Sequence, residues 1–586
     1  MLGPFRSNGR LHVTHGKGYM RGGELKFPDP DEIEQHTAFR PDGTYRTLFG
    51  PCIAHSGVVN CNCDHCMSLA LRRLTALREA SPDRIQTAIR AGLNPAEIST
   101  LCDSYDDLLR TNQAAYLPKI HGLLADLKRQ YGSDMPDFSN VEEMARLYHA
   151  DPHPKQKLRI RAFQELNESG EIFKHLWLRK ALIKFKKDEI AKNGKKPRSI
   201  VDLGVSASLQ GFMATRWMKY AMERHPLVTP RGSIEFVSSP RVDVLKRVFD
   251  QLLSPEESSY MVYFSDDSCY SFRHRGKLYR YNLDIAGCDA SHGPAIFDAL
   301  LRITPDALLP CMRILVDQCM VPITIVSTSS RRRDGKRLSI RGYFDGPTLF
   351  SGSTITTLIN NLANLLLGHR LSLVTLDDRD YTDTELNDIF SLALEEVGYV
   401  VTGFTSKEKC HVPEDLQFLK YSPALDVQGD YWPVLNFGVW LRASGTCRGD
   451  LPGGKNEPIE QRAKSFQYAL LQGMFPRLQA PLIRNFKEAA KPDDLLSRTY
   501  QQSTTRVAYD LSHKVEDSEH PDLLFDDDAI MARYQLTPSE YQDLTEFSRA
   551  GFGIHACMSF ADKILRKDYG LGTLSWQDVC RKEGTW

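Results

Sequence analysis

Net charge is the first thing this chain lacks. Its 586 residues carry 74 lysines and arginines against 74 aspartates and glutamates. No global field draws it to nucleic acid or to an acidic surface, so any such binding has to come from local patches. Long apolar runs are missing too. The most apolar stretch, Ala307 to Val326, holds Arg313 and Asp317 and is broken by Pro310 and Pro322, so no transmembrane segment is expected. Met1 to Lys26 is rich in Gly, Arg and His without an apolar centre, so no signal peptide is expected. The thirteen cysteines are odd in number and scattered except for one cluster. That argues against a disulfide framework and for reduced thiols in a cytosolic setting. No internal repeat or low-complexity tract appears. What remains is a soluble globular composition, 41% apolar and 25% charged, over a length that suggests two to four structural units.

Periodicity predicts helices over Cys66 to Tyr148 and Gln156 to Lys187, separated by the break Asp151-Pro152-His153-Pro154. Ser199 to Leu203 reads as a strand and Leu209 to Arg224 as a helix. Gly232 to Val237 reads as a strand and Val242 to Leu253 as a helix. Met261-Val262-Tyr263-Phe264 and Cys269-Tyr270-Ser271-Phe272 flank a short acidic turn, a hairpin signal. Lys277 to Ile285 and Trp432 to Leu441 are expected strands. Ala295 to Ile303, Thr354 to Leu367 and Thr384 to Val397 are expected helices. Glu516 to Asp528 is expected to be an exposed acidic loop. The fold class expected is α+β.

The chemistry sits in four short stretches. Transfer of a nucleotide needs two divalent ions ~3.5–4 Å apart, and hard Mg²⁺ takes carboxylate oxygens while keeping water and phosphate ligands. Asp284 follows the strand residues Tyr281-Asn282-Leu283, and Asp266 lies at the hairpin tip. These two are the expected metal ligands, with Asp267 secondary. An Asp-Asp pair alone is more often a solvated turn, but such a turn has no need of Met-Val-Tyr-Phe buried just before it. Asp289, five residues beyond Asp284, can accept a hydrogen bond from a ribose hydroxyl. A helix N-cap is its bland alternative.

Ser351-Gly352-Ser353-Thr354-Ile355-Thr356-Thr357-Leu358-Ile359-Asn360 spaces Gly, Thr and Asn by four, which puts Thr356 and Asn360 on one helical face below a Ser-Gly mouth. That loop can approach a nucleotide closely, and Asn360 has the donor and acceptor needed to read a 2′-hydroxyl directly or through Asp289. From Glu171 to Arg198 ten Lys/Arg face three Asp/Glu. Such a run suits an incoming triphosphate, with Lys187, Lys196 and Arg198 the best placed and Arg198 suited to bidentate contact. Together these residues read as a template-directed nucleotidyl transferase.

At this point the chain resembles the viral RNA-dependent RNA polymerases. Lys187-Asp188-Glu189…Lys196-Pro197-Arg198-Ser199-Ile200 is similar to that family's motif F, Asp284…Asp289 to motif A, and Ser351-Gly352…Thr356…Asn360 to motif B. Ser265-Asp266-Asp267 resembles motif C, with Ser where Gly is commoner. Leu392 to Lys409 resembles motif D, whose lysine protonates pyrophosphate; Lys407 and Lys409 both fit, and Lys409 is preferred. Leu416 to Leu441, with Phe418-Leu419-Lys420, resembles motif E. The order C, A, B departs from the usual one and resembles the permuted palm of permutotetraviruses and birnaviruses. A rival pair, Asp377-Asp378, follows the Ser-Gly helix near the usual place of motif C, but the residues after it, Arg379 to Glu385, are too polar for a buried second strand.

The resemblance implies a right-hand polymerase, an antiparallel palm sheet backed by helices with helical fingers and thumb. It would divide into an N-terminal extension and fingers (1–175), fingers with the nucleotide channel (176–258), palm (259–300), a fingers insertion (301–345), palm (346–441) and thumb (442–586). It implies Mg²⁺, with Mn²⁺ as a substitute, and ribonucleoside triphosphates, an RNA template and nascent RNA as partners. It implies a location in the host cytoplasm, or in the virion if the genome is double-stranded. A reverse transcriptase would carry an aromatic gate where Asp289 stands, and an RNA-binding scaffold fits poorly with zero net charge and an acidic cluster. Separately, Cys52, His55, Cys63 and Cys66 have a spacing compatible with a structural zinc site, or with plain buried thiols.

Overall fold

The structure is a computed structural model. Apart from short pieces it describes residues 76–136, 181–185, 198–203, 211–238, 241–331, 337–439, 527–550 and 559–569. Within these the fold is α+β.

After short pieces that include the strand Leu11–Thr14, the described residues form the helices α1 (Pro82–Arg90), α2 (Pro95–Tyr116) and α3 (His121–Gly132). Asn94 starts α2 with a capping box, its side chain accepting from the amides of Ala96 and Glu97 while Glu97 reaches back to the Asn94 amide. Strands β1 (Ala181–Phe185) and β2 (Ser199–Asp202) follow, then helix α4 (Phe212–Arg224), strands β3 (Leu227–Thr229) and β4 (Gly232–Phe236) and helix α5 (Val242–Leu253). Helix α5 forms where expected because Leu245, Val248, Phe249 and Leu252 recur at helical spacing and are all buried.

Next come β5 (Ser259–Phe264), β6 (Asp267–His274) and β7 (Lys277–Ile285). They form an antiparallel meander. Its second turn, Arg275-Gly276, has both residues at positive φ, 50° and 75°, the geometry that matches strand twist in a two-residue hairpin. Helices α6 (Pro294–Ile303) and α7 (Leu309–Gln318) lead to β8 (Ile323–Arg331) and β9 (Arg337–Phe344). Helix α7 lies within the most apolar stretch of the sequence, with Pro310 tolerated in its first turn. Helices α8 (Thr356–Ser372) and α9 (Asp383–Val397), strand β10 (Val401–Thr402) and the hairpin β11 (Tyr421–Leu425) and β12 (Tyr431–Leu435) follow. Near the C-terminus lie α10 (Asp527–Tyr534), α11 (Pro538–Ala550) and α12 (Ser559–Tyr569).

Two sheets organise most of these strands, with β11 and β12 paired as a separate hairpin. The larger runs β10-β7-β6-β5-β4-β3. It is mixed, not purely antiparallel as expected, because β4 and β5 pair in parallel across the α5 crossover. The other runs from the strand Leu11–Thr14 through β9, β8 and β1 to β2. Helix α8 packs on β4 and β5 and against α6 and α9. It is buried on nearly all sides, including Asn360, Asn361 and Asn364. Tyr270, Phe272 and Tyr281 alternate along β6 and β7 into one aromatic layer, and Phe390 of α9 meets all three edge-on at 84°, 77° and 71°. Such contacts add about 0.5–1.5 kcal/mol each beyond area burial.

Two further expectations need correction. Residues Ala181–Phe185 were expected inside a helix and form β1, because Ile323–Ile325 pairs with one edge and Val201–Asp202 with the other. Tertiary pairing overrides the helical propensity of the surrounding lysines. The strand expected over Trp432 to Leu441 stops at Leu435, where Phe437 to Val439 turn helical.

Candidate active site

The β5–β6 turn is held by three asparagines of α8. Ser265 sits in the left-handed region at φ 53°, a conformation costly for a side chain of this type unless its surroundings fix it. They do. Its amide donates to Asn361 Oδ1 at 2.8 Å, its hydroxyl accepts from Asn360 Nδ2 at 3.1 Å, and its carbonyl accepts from Asn364 Nδ2. The next residues, Asp266 and Asp267, are thereby aimed.

Strand register does the rest. Ser268 faces Leu283 across β6 and β7, so the next rung sets Asp267 beside Asp284, one strand spacing of about 4.8 Å away. Asp284 in turn faces Thr402 of β10. Asp266 and Asp284 are exposed and Asp267 is half-buried. Asp267 accepts from the Leu419 amide at 2.8 Å. Its carboxyl is pushed up to about 6, chiefly by burial and further by Asp266 and Asp284, with the Leu419 amide and Lys420 opposing. The turn that presents this amide has Leu419 and Lys420 both at positive φ, 53° and 68°.

Asp289 lies on a single helical turn, Cys288–Ser291, and accepts from Asn360 Nδ2 at 3.1 Å. Burial raises its pKa; the Asn360 bond opposes that, Asp266 adds to it, and Arg198 and Arg73 oppose it. Arg198 and Asp266 are thus both within electrostatic reach of Asp289. Arg198 directly precedes β2, whose Val201 amide donates to the Ser351 carbonyl at 3.0 Å. Gly352 follows at φ +94°, where a Cβ would come within 3.2 Å of the Val201 carbonyl oxygen. Only glycine suits both that backbone and that approach. Lys184, Ile200, Val201, Asp202, Leu203, Gly352 and Thr354 line a cavity of about 300 Å³ at this junction. The Thr356 hydroxyl bonds to the carbonyls of Phe350 and Ser353, closing the Ser-Gly loop onto α8.

The structure therefore brings together Asp266, Asp267, Asp284, Asp289, Asn360 and Arg198, with Ser351, Gly352 and Thr356 on the adjoining loop. Lys409 sits apart. Its ammonium is 2.8 Å from Asp383, and its neighbour Cys410 bonds to Arg280, four residues up β7 from Asp284 and about 13 Å away along the strand. The rival pair Asp377-Asp378 is further still. Asp378 pairs with Arg275 in the β6–β7 turn, at the opposite end of β7 from Asp284, about 23 Å away. Lys187, Lys196 and the cysteine–histidine cluster Cys52, His55, Cys63 and Cys66 lie outside the described residues.

Among the described residues no three His, Cys, Asp or Glu side chains form a ready-made metal cage. What fits a cation is the pair Asp266 and Asp284 over the half-buried Asp267, whose pKa is raised by burial first and by its two carboxylate neighbours second. A hard divalent ion that keeps most of its water and phosphate ligands suits such a donor set. Sequence reasoning missed the asparagines Asn361 and Asn364, the Leu419 amide, and His292, which bonds Asn360. The three Asn residues on one helix were the readable signal.

No family model and no curated protein matches the chain. Among solved structures it is similar to the birnavirus VP1–VP3 complex, at 12% identity and a TM-score of 0.36, over 73% of this chain and 66% of that one. It is also similar to the RNA polymerase VP1 from Infectious Pancreatic Necrosis Virus, at 12% identity and a TM-score of 0.34, over 73% of this chain and 59% of that one. The chain spans just under two thirds of the first and about three fifths of the second.

Proposed function

We propose that the chain is a viral RNA-directed RNA polymerase that copies an RNA template from ribonucleoside triphosphates by two-metal nucleotidyl transfer. The observation that carries this reading is the ladder register that sets the Ser265-Asp266-Asp267 turn beside Asp284, with Asp289 tied to Asn360 on the same side. In this reading the large sheet is the palm, with the acidic hairpin ahead of the other acidic strand in a permuted C-A-B order. The sheet of β1, β2, β8 and β9 belongs to the fingers and residues 442–586 to the thumb.

Asp266 and Asp284 would hold Mg²⁺ or Mn²⁺, with Asp267 in support. Bound there, the cations would acidify a 3′-hydroxyl and neutralise departing pyrophosphate. The chain's own residues do the rest. Asp289 and Asn360 receive the ribose hydroxyls. Arg198, with Lys187 and Lys196, offsets the triphosphate charge, and Ser351, Gly352 and Thr356 shape the nucleotide floor. Lys409 would give a proton to pyrophosphate after leaving Asp383 and crossing the ~13 Å between its segment and Asp284. The partners are template and nascent RNA, and the setting is the host cytoplasm or a virion. A structural zinc at Cys52, His55, Cys63 and Cys66 completes the proposal.

Labelled-nucleotide incorporation on an RNA template tests it, comparing ribose with deoxyribose triphosphates. Incorporation with ribose preference supports it. Deoxyribose preference would mean a reverse transcriptase, against which the Asp289–Asn360 bond argues. No incorporation would leave an RNA-binding scaffold.

A further inference from the structure

The Asn360 amide has a second set of contacts that no reading of the metal site requires. Its Nδ2 donates to Asp289 and to Ser265 at 3.1 Å each. Its Oδ1 therefore points the other way, where it meets His292 Nε2 at 2.8 Å and the Cys288 thiol at 3.3 Å. An amide oxygen only accepts, so His292 Nε2 carries the proton. His292 Nδ1 is then bare, and the Tyr399 hydroxyl donates to it at 2.8 Å. Histidine, Asn360 and Tyr399 are all buried. Burial pushes the imidazolium down to about 4, in keeping with a neutral ring of fixed tautomer.

The backbone on both sides of this pair is held by one residue of the N-terminal helix α2. Gln113 Nε2 donates to the carbonyls of Ser291 at 2.8 Å and Gly398 at 3.0 Å, and its Oε1 accepts from the Gly293 amide at 2.7 Å. Those are the residues flanking His292 and the residue preceding Tyr399. The fit is tight: a Cβ on Gly398, at φ +94°, would lie 2.3 Å from Gln113 Cγ. Gln113 itself is fully buried.

We infer that Gln113, His292 and Tyr399 are positioning residues for substrate sugar specificity: a buried relay from helix α2 that locks the Asn360 amide with its NH₂ towards Asp289. Without the relay the Asn360 oxygen loses its strongest donor, and the side chain can rotate away even though the Asp289 carboxylate and the Cys288 thiol still favour the same end of the amide. Rotated away, it breaks the pair that receives the 2′-hydroxyl. The inference rests on the polymerase reading and deepens it. It gives the N-terminal helical region a part in choosing ribose, made through backbone clamps and not by touching substrate.

The test measures kcat/KM for one ribonucleoside triphosphate and its 2′-deoxy counterpart on a single RNA template, in the full chain. Tyr399→Phe removes one oxygen, His292→Leu removes the ring donor and Gln113→Leu removes the clamp. Each is expected to lower the ribose-to-deoxyribose ratio by about five- to tenfold, the scale of one buried hydrogen bond, through loss on the ribonucleotide alone. In an Asn360→Ala background, Tyr399→Phe is expected to add nothing, since the two act as one unit. Equal losses on both substrates, or a full Tyr399→Phe effect without Asn360, would overturn the relay. Should His292→Leu fold poorly, Tyr399→Phe decides by itself. A wild-type chain that prefers ribose while all variants keep its ratio refutes this inference only. A wild-type chain that incorporates no nucleotide refutes the polymerase reading, and the relay with it.

Discussion

Replacing Asp284 with asparagine should separate stability from chemistry. Asp284 lies one rung beyond the Ser268–Leu283 pair, beside Asp267, where facing side chains are about 5 Å apart. Two unit charges at that distance repel by roughly 1 kcal/mol in water and about 3 kcal/mol at an effective dielectric of 20. Asp284 is exposed, so screening favours the lower figure. Asparagine keeps the shape and removes the charge. The metal-free variant should then be about 1 kcal/mol more stable than wild type, a rise in melting temperature of no more than about 2–4 °C. Added Mg²⁺ should reverse the ranking. At a hundred times its dissociation constant a bound ion contributes about 2.7 kcal/mol, and only the wild type keeps both proposed ligands. Nucleotide incorporation should meanwhile fall on the order of 10²–10³-fold. Thermal melts with and without Mg²⁺, run beside an incorporation assay, check all three. A variant that is less stable without metal, equally stabilised by Mg²⁺, or still active would refute the reasoning.

Substituting Asp377→Ala together with Asp378→Ala should leave incorporation unchanged, because that pair sits beside Arg275 at the far end of β7; loss of activity would move the metal site there. His292 gives a pH signature. Its folded pKa, about 4, is below the usual 6.5. Its contribution to stability is therefore whole above about pH 6.5 and is lost as pH falls towards 4, by up to about 3 kcal/mol. Denaturant melts of wild type and His292→Leu should converge as the solution is acidified, and a constant gap would contradict a neutral buried ring. Asp568→Ala should cost about 3–5 kcal/mol, since Arg533, only 8% exposed, and the Tyr534 hydroxyl and Gly438 amide all bond to that carboxylate. A loss below about 1 kcal/mol, as for an exposed pair such as Lys184–Asp202, would show that the cluster is solvated.

Local pattern carried the sequence reading where local pattern decides the fold. Helix α5 and strand β7 match their expected bounds, Val242–Leu253 and Lys277–Ile285, because each has one clear apolar period. Strand β1 was missed because its state is set by Ile323–Ile325, some 140 residues later. The same limit applies to the site. Asp266, Asp284, Asp289 and Asn360 could be named from chemical type and spacing. His292 could not, since a lone histidine gives no sign that it will meet Tyr399, 107 residues on, or that Gln113 will bracket it from the other side of the chain. Residues proposed to act on substrate have a readable chemical type, whereas residues that hold them are legible only from contacts.

The chain order has its own physical consequence. Because β5, β6 and β7 are consecutive, the three carboxylates at 266, 267 and 284 are gathered within 18 residues. Had the acidic hairpin come after the Ser-Gly helix, at Asp377, the loop to Asp284 would span 93 residues. Closure entropy grows as three halves of RT times the logarithm of length, so the longer route costs about 1.5 kcal/mol more. That is the size of the repulsion that crowding the carboxylates introduces. The meander therefore offsets the cost of holding like charges side by side, at the expense of bringing Asn360 in from a later helix. The Ser265 turn then joins the two parts, since all three of its polar atoms are bonded by α8. The acid cluster and the Asn360 amide are fixed to the same residue, and a shift in one has to move the other.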